Sequence, residues 1–121
     1  MSEIQFSHSV PFLPTADISA TIDFYQEKLN FEDLWIWDDP PTVIRVGRGP
    51  VKFLFSLEPD HPVLNKGFDI MIFLRGIDQL YDELTERNTK FSAPLEKKPW
   101  GIWEFAVQDN NGYFLRFAEE K

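Results

Sequence analysis

Asp17–Leu29 reads DISATIDFYQEKL and Gly76–Asn88 reads GIDQLYDELTERN, and the second stretch repeats the pattern of the first about sixty positions further on. In the first, Ile18, Ile22, Tyr25 and Leu29 recur at the period of one helical face, Asp17 is placed to cap the first turn, and Asn30 to end the last. In the second, Ile77, Leu80, Tyr81 and Leu84 form the same face, Glu83 and Arg87 stand one turn apart, and Asn88 closes the helix. An echo spaced at half of a 121-residue chain implies a duplication.

The flanks repeat too. A β-like run precedes each helix, IQFSHSVPFL (4–13) and then GFDIMIFL (67–74), and three β-like segments follow it. These are EDLWIWDD, TVIRVGR and VKFLFSLE after the first helix, and KFSAPL, GIWEFAVQ and GYFLRFAE after the second. In the last pair the runs flank DNNG (109–112), whose Asn and Gly tolerate the positive φ of a hairpin turn. The expected fold is therefore α+β, βαβββ written twice. Each half buries too little surface to stand alone, so residues 1–121 are expected to form one domain, with modules at about 1–58 and 68–121 joined by a polar linker, 59–67.

Composition narrows the partners. Twelve Lys and Arg against twenty Asp and Glu give a net charge of −8, which repels phosphate backbones and anionic lipid surfaces and attracts cations. Nucleic acid and membrane are not expected partners. The absence of cysteine removes disulfides, thiolate metal sites and cysteine nucleophiles. The N-terminal MSEIQFSHSV has neither a basic region nor a long apolar run, so no signal peptide is expected and the cytoplasm is the expected location.

The stretches VPFLPTADISATIDFYQEKLNF, WDDPPTVIR, RGIDQLYDEL and, most specifically, PWGIWEFAVQDNNGYFLRFAEE together resemble the vicinal oxygen chelate superfamily, and within it the bleomycin resistance proteins. The resemblance covers nearly the whole chain. It implies a cup-shaped, eight-stranded mixed sheet and a homodimer. Enzymes of that superfamily hold a divalent metal in the cup with His and Glu side chains. The antibiotic-binding members hold none, and sequester flat-ringed, cationic glycopeptides in grooves at the dimer interface.

Carried onto this chain, the metal positions fall at Val10, Asp69 and Arg116, with a fourth among Phe53, Leu54 and Phe55. Valine and phenylalanine offer no donor, and an arginine repels a divalent ion. One donor in four is not a metal site, so no metal, cofactor or catalytic residue is expected. His8 shares a strand face with Val10 and is the residue that a slip in register would bring into the cup; His61, in the linker, is expected in solvent. Asp69 and Arg116 are expected to pair with each other where the metal would be.

Aromatic residues divide into two groups. Phe6, Phe12, Phe24, Tyr25, Phe31, Phe53, Phe55, Phe73 and Phe91 are expected in the core. Along GIWEFAVQ, Trp103, Phe105 and Val107 share the core face while Ile102, Glu104, Ala106 and Gln108 share a mixed one. Trp37, next to Asp38 and Asp39, and Trp100, at the mouth of the last hairpin, are placed to stack on a flat cation, since aromatic faces attract positive charge and carboxylates add to it. The expected ligand-binding residues are thus Trp37, Asp38, Asp39, Trp100, Glu104, Arg116 and Asp69. The expected function is metal-free sequestration of a bleomycin-type antibiotic by a homodimer. The alternatives are a metal-dependent glyoxalase- or dioxygenase-like enzyme of the same fold, or a binder of another small molecule.

Overall fold

The structure, a computed structural model, describes residues 3–64 and 68–121. The last three residues of the expected linker, 65–67, lie outside the described residues. Element order is β1 (Phe12–Thr15), α1 (Ile18–Asp23), β2 (Asp33–Trp37), β3 (Val43–Arg48) and β4 (Val51–Leu57), then β5 (Asp69–Phe73), α2 (Ile77–Glu86), β6 (Ala93–Lys97), β7 (Ile102–Gln108) and β8 (Phe114–Glu120). This is βαβββ twice. The strands form two four-stranded mixed sheets, ordered β1-β4-β3-β2 and β5-β8-β7-β6, in which the first strand of each module runs parallel to its last and all other pairs are antiparallel.

Alternation along the strands gives each sheet one face for the core. Ile44, Val46, Phe53 and Phe55 of the first sheet, and Ile72, Phe105, Val107, Leu115 and Phe117 of the second, join Tyr25, Leu29, Ile77 and Leu84 from the helical segments in one buried cluster. Each of those side chains contributes roughly 1.5–3 kcal/mol by leaving water. The helices start and stop as their sequences require. Asp17 Oδ1 accepts the Ala20 amide at 2.9 Å, and Asn30 and Asn88 take the left-handed conformation after each helix. The first helix widens into a π-helical turn over Phe24–Lys28, where Tyr25 is fully buried.

Four expectations change. The first strand, expected over 4–13, is confined to Phe12–Thr15, and residues 3–11 carry no regular structure. β1 meets β4 only from Leu54 to Leu57, and Pro11 and Pro14 have no amide to donate to a ladder. Phe6 (99% exposed), Phe12 and Phe73 are therefore not core: Phe6 lies in the unpaired arm, and the register puts Phe12 beside Leu54 and Phe73 beside Ala118 on the faces turned from the helices. His61 is half-buried rather than solvated, with Nε2 covered and without a hydrogen-bond partner among the described residues. The helical pair expected between Glu83 and Arg87 is replaced by longer reaches: Glu83 pairs with Arg48 at 2.7 and 2.9 Å, and Arg87 Nη1 donates to the Glu27 carbonyl at 3.1 Å.

A buried polar network ties the modules together through the DNNG turn. Asp109 Oδ1 accepts the amides of Asn111 and Tyr113, both at 2.9 Å, while Oδ2 accepts the Tyr25 hydroxyl at 2.6 Å. Thr15 Oγ1 donates to Asn111 Oδ1 at 2.7 Å, and the Tyr113 hydroxyl donates to the Pro14 carbonyl at 2.8 Å. Burial, with the Asp109 charge second, holds the Tyr25 phenol well above its ordinary value; burial likewise raises Asp109, against the donors that stabilise its carboxylate. Gly112 has φ of 90°, and a Cβ there would stand 1.7 Å from the Leu64 carbonyl oxygen, so only glycine fits the turn.

Candidate functional site

On the second sheet the open face carries Asp69, Met71 and Phe73 from β5, Phe114, Arg116 and Ala118 from β8, and Glu104, Ala106 and Gln108 from β7, as the pairings Met71 with Arg116, Ala106 with Arg116 and Glu104 with Ala118 require. Four of the expected residues meet here. Arg116 donates to Glu104 Oε1 from Nη2 at 2.7 Å and from Nε at 3.2 Å. Glu104 Oε2 accepts the Trp100 indole N–H at 3.1 Å. Arg116 Nη1 reaches Asp69 Oδ2 at 3.4 Å.

The expected pair of Asp69 and Arg116 is present, but it is the outer and longer of two. Glu104 is the inner partner, 3% exposed, with both oxygens engaged. A buried carboxylate needs that treatment, because its desolvation is offset only by charge-assisted hydrogen bonds. The Glu104 hydrogen bond, followed by its charge and that of Asp69, raises the Arg116 guanidinium above its ordinary value. Two carboxylates around one guanidinium leave a net negative charge at the indole N–H edge of Trp100, a residue that is 61% exposed. Chemically, this is a flat apolar platform with an acid beside it.

The donor set does not fit a divalent metal. Arg116, which the resemblance sets at a metal-binding position, is fixed by Glu104 and offers no lone pair to a metal. Val10 lies outside β1, and Phe53 and Phe55 are buried in the core. His8 is exposed, with its Nδ1 2.6 Å from Ser7 Oγ. Among the described residues no three His, Asp or Glu side chains come together as ligands would.

The first sheet places the remaining candidates apart from this cluster. Trp35 and Trp37 share the open face of the edge strand β2, next to Arg45 and Val43 of β3. Asp38 is tied within its own loop, accepting the Asp39 amide at 2.9 Å and the Thr42 hydroxyl at 3.3 Å, and Asp39 is exposed. The face is lined by Asp33, which pairs with Lys52 and stands 3.7 Å from Arg45.

A family model described as glyoxalase superfamily protein matches residues 1–121. The chain belongs to the glyoxalase superfamily. Among solved structures, this superfamily member is similar to a bleomycin resistance determinant encoded on the transposon Tn5, with a TM-score of 0.81, 22% identity, and coverage of 96% of this chain and 99% of the other. It is similar also to the bleomycin-binding protein of the bleomycin producer Streptomyces verticillus, solved with copper(II)-bleomycin (TM-score 0.76, 24% identity, 98% and 100% covered). A glyoxalase-related enzyme from Clostridium phytofermentans gives a TM-score of 0.77 at 21% identity, with 98% of each chain covered. No curated protein matches the sequence. At these identities the likenesses carry the fold, which is the vicinal oxygen chelate fold expected from the sequence.

Glu104 as the inner anchor was legible in principle. A hairpin centred on DNNG brings Glu104 and Arg116 diagonally together on one face, within reach of a long side chain. The contacts between modules, Tyr25 with Asp109 and Arg48 with Glu83, had no such local signal.

Proposed function

We propose that this glyoxalase-superfamily chain is a metal-free, homodimeric binding protein that sequesters a flat, cationic molecule of the bleomycin type in the cytoplasm. Residues 1–121 act as one domain, with modules at about 1–58 and 68–121 joined by 59–67. The observation that carries the reading is the Trp100–Glu104–Arg116–Asp69 cluster, in which a buried ion pair holds an exposed indole. Trp100 supplies the stacking surface and Asp69 the attraction for a cation. Glu104 and Arg116 position both. Trp37, Asp38 and Asp39 form the second wall, contributed across the interface by the partner copy. Support for the dimer comes from the apolar surface left open on one chain: Ile4, Phe6, Phe12, Trp35, Trp37, Met71 and Phe73 are all exposed, more than a lone acidic domain ordinarily leaves in water. Among the described residues no helix is long and apolar enough to cross a membrane.

The test is a calorimetric titration of chelator-treated protein with a bleomycin-type glycopeptide, alongside elemental analysis of the protein as purified. Saturable binding near one ligand per chain, without stoichiometric metal, supports the reading. Absence of binding, together with one zinc or iron per chain and a melting temperature that rises with added metal, overturns it in favour of a metal-dependent enzyme.

A further inference from the structure

On the helix side of the sheets the molecule carries another concavity, a cavity of about 460 Å³ where the N-terminal half of α2 meets the end of the first helical segment and the turn between β3 and β4, with Phe73 at the end of β5 also in its lining. Its walls are formed by Leu29, Phe31, Ile72, Leu80, Leu84 and Phe117. Ile72 and Phe117 alternate along their strands with Met71 and Arg116, so the cavity opens on the helix side of the sheets, opposite the Trp100 cluster. Its volume is that of a small-molecule site, roughly 300–1,000 Å³.

Its polar groups are few. Arg48 and Glu83 line it and neutralise each other, Nη1 to Oε2 at 2.7 Å and Nη2 to Oε1 at 2.9 Å. That mutual hydrogen bonding raises the guanidinium and lowers the carboxyl from their ordinary values, so both stay charged and occupied. The amides of Gly76 and Ile77, at the start of α2, are taken by Glu119 Oε1 at 3.0 and 2.9 Å. Arg75 lines the mouth, is exposed, and has no ion-pair partner among the described residues. Gln79 lines the same mouth. The lining therefore carries one uncompensated positive charge in a chain of net charge −8.

An apolar chamber with a single unpaired cation at its rim complements an apolar body ending in one carboxylate. We propose that this seam is a second small-molecule site, which takes a medium-chain monocarboxylate with its carboxylate on Arg75 and Gln79 and its body against Phe31, Leu84 and Phe117.

The experiment is a calorimetric titration of the full chain with decanoate, decanol and decyltrimethylammonium. Decanoate is expected to bind at one per chain, decanol roughly tenfold more weakly for want of the charge-assisted hydrogen bond, and the ammonium compound more weakly still. Arg75→Gln, on the surface, should reduce decanoate to the affinity of decanol and leave decanol unchanged. Leu80→Trp, which fills the chamber from its partly buried rim, should weaken decanoate and decanol together while circular dichroism stays that of the native fold. The proposal is overturned by no saturable decanoate binding, by equal decanoate affinity in Arg75→Gln and the unmodified protein, or by loss of binding in Trp37→Ala or Trp100→Ala, which would place the molecule on the open faces. Decanoate that is displaced as the protein self-associates would also overturn it, by showing that a second copy fills the chamber. These probes and variants differ from those of the glycopeptide titration, so either reading can fail without the other.

Discussion

Trp37 and Trp100 both stand at the mouth of an open sheet face, 55% and 61% exposed, yet only Trp100 is held, through its indole N–H on Glu104 Oε2. The first face carries Trp35, Trp37 and Phe12 with charged groups that pair among themselves near the surface, Asp33 closely with Lys52 and at 3.7 Å with Arg45. The second face buries a carboxylate, closes an arginine on it at 2.7 Å, and uses the remaining oxygen to fix the ring. One duplicated module has thus produced a face whose tryptophans make no side-chain hydrogen bond among the described residues and a face whose tryptophan is anchored on a buried carboxylate. The difference matters for binding, because each rotamer-rich side chain immobilised by a ligand costs roughly 0.5–1.5 kcal/mol, and Trp100 is already immobilised.

Stability separates the faces most sharply. Arg116→Met leaves Glu104 buried and unpaired and is expected to cost about 3–5 kcal/mol, whereas Glu104→Leu combined with Arg116→Met is expected to be close to neutral. The same truncation on the first face, Arg45→Met, should cost less than about 1 kcal/mol, as exposed pairs do. Urea unfolding of the unmodified protein, these three variants and Glu104→Leu alone reads this; additive losses at Glu104 and Arg116, or equal losses at Arg45 and Arg116, would erase the contrast. Ligand affinity is expected to follow in the same order. Trp100→Ala should weaken a bleomycin-type glycopeptide by roughly 1–3 kcal/mol and Trp37→Ala by less, since truncating a fixed ring removes a prepaid contact.

How far the sequence reaches differs between these faces for physical reasons. The periodicity of Ile18, Ile22, Tyr25 and Leu29 and of its echo at Ile77 is local, as are the caps at Asp17 and Asn30, so the module and its duplication could be read directly. The hairpin around DNNG could be read for the same reason. Alternation assigns Phe105 and Val107 to the core, where they are, but it cannot tell a covered face from an open one, so it leaves the exposure of Phe12 and Phe73 undecided. Length and β-branching made residues 4–13 resemble a strand, but only Phe12–Thr15 find a partner within the chain. The burial of Glu104 depends on Arg116 and Trp100 converging from two directions, and the link from Tyr25 to Asp109 spans 84 positions, a separation at which residue types alone carry no pairing information.

Smaller effects sharpen the picture of the first face. Replacing Asp38 and Asp39 by Asn should weaken a cationic ligand at low salt and much less at high salt, because rim carboxylates act through screened attraction. An effect independent of salt would mean that these side chains touch the ligand. The smallest concerns acid. The Lys52 hydrogen bond lowers the Asp33 carboxyl below its ordinary 3.8, so its contribution to stability is present above that value and fades as pH falls through the lower folded value. An NMR titration of the Asp33 carboxyl should give a midpoint below 3.8 that returns toward it in Lys52→Met. A midpoint unmoved by that substitution would show that the pair does not hold in solution.

The central claim is that a buried ion pair builds the ligand platform. Its most direct test is a calorimetric titration of the Glu104→Leu, Arg116→Met double variant with the same glycopeptide after chelation, because that protein should fold with near-native stability while Trp100 has lost its acceptor. The account predicts affinity lowered by roughly tenfold, the worth of one charged hydrogen bond and its orientation of the ring. Unchanged affinity in a folded double variant would contradict it.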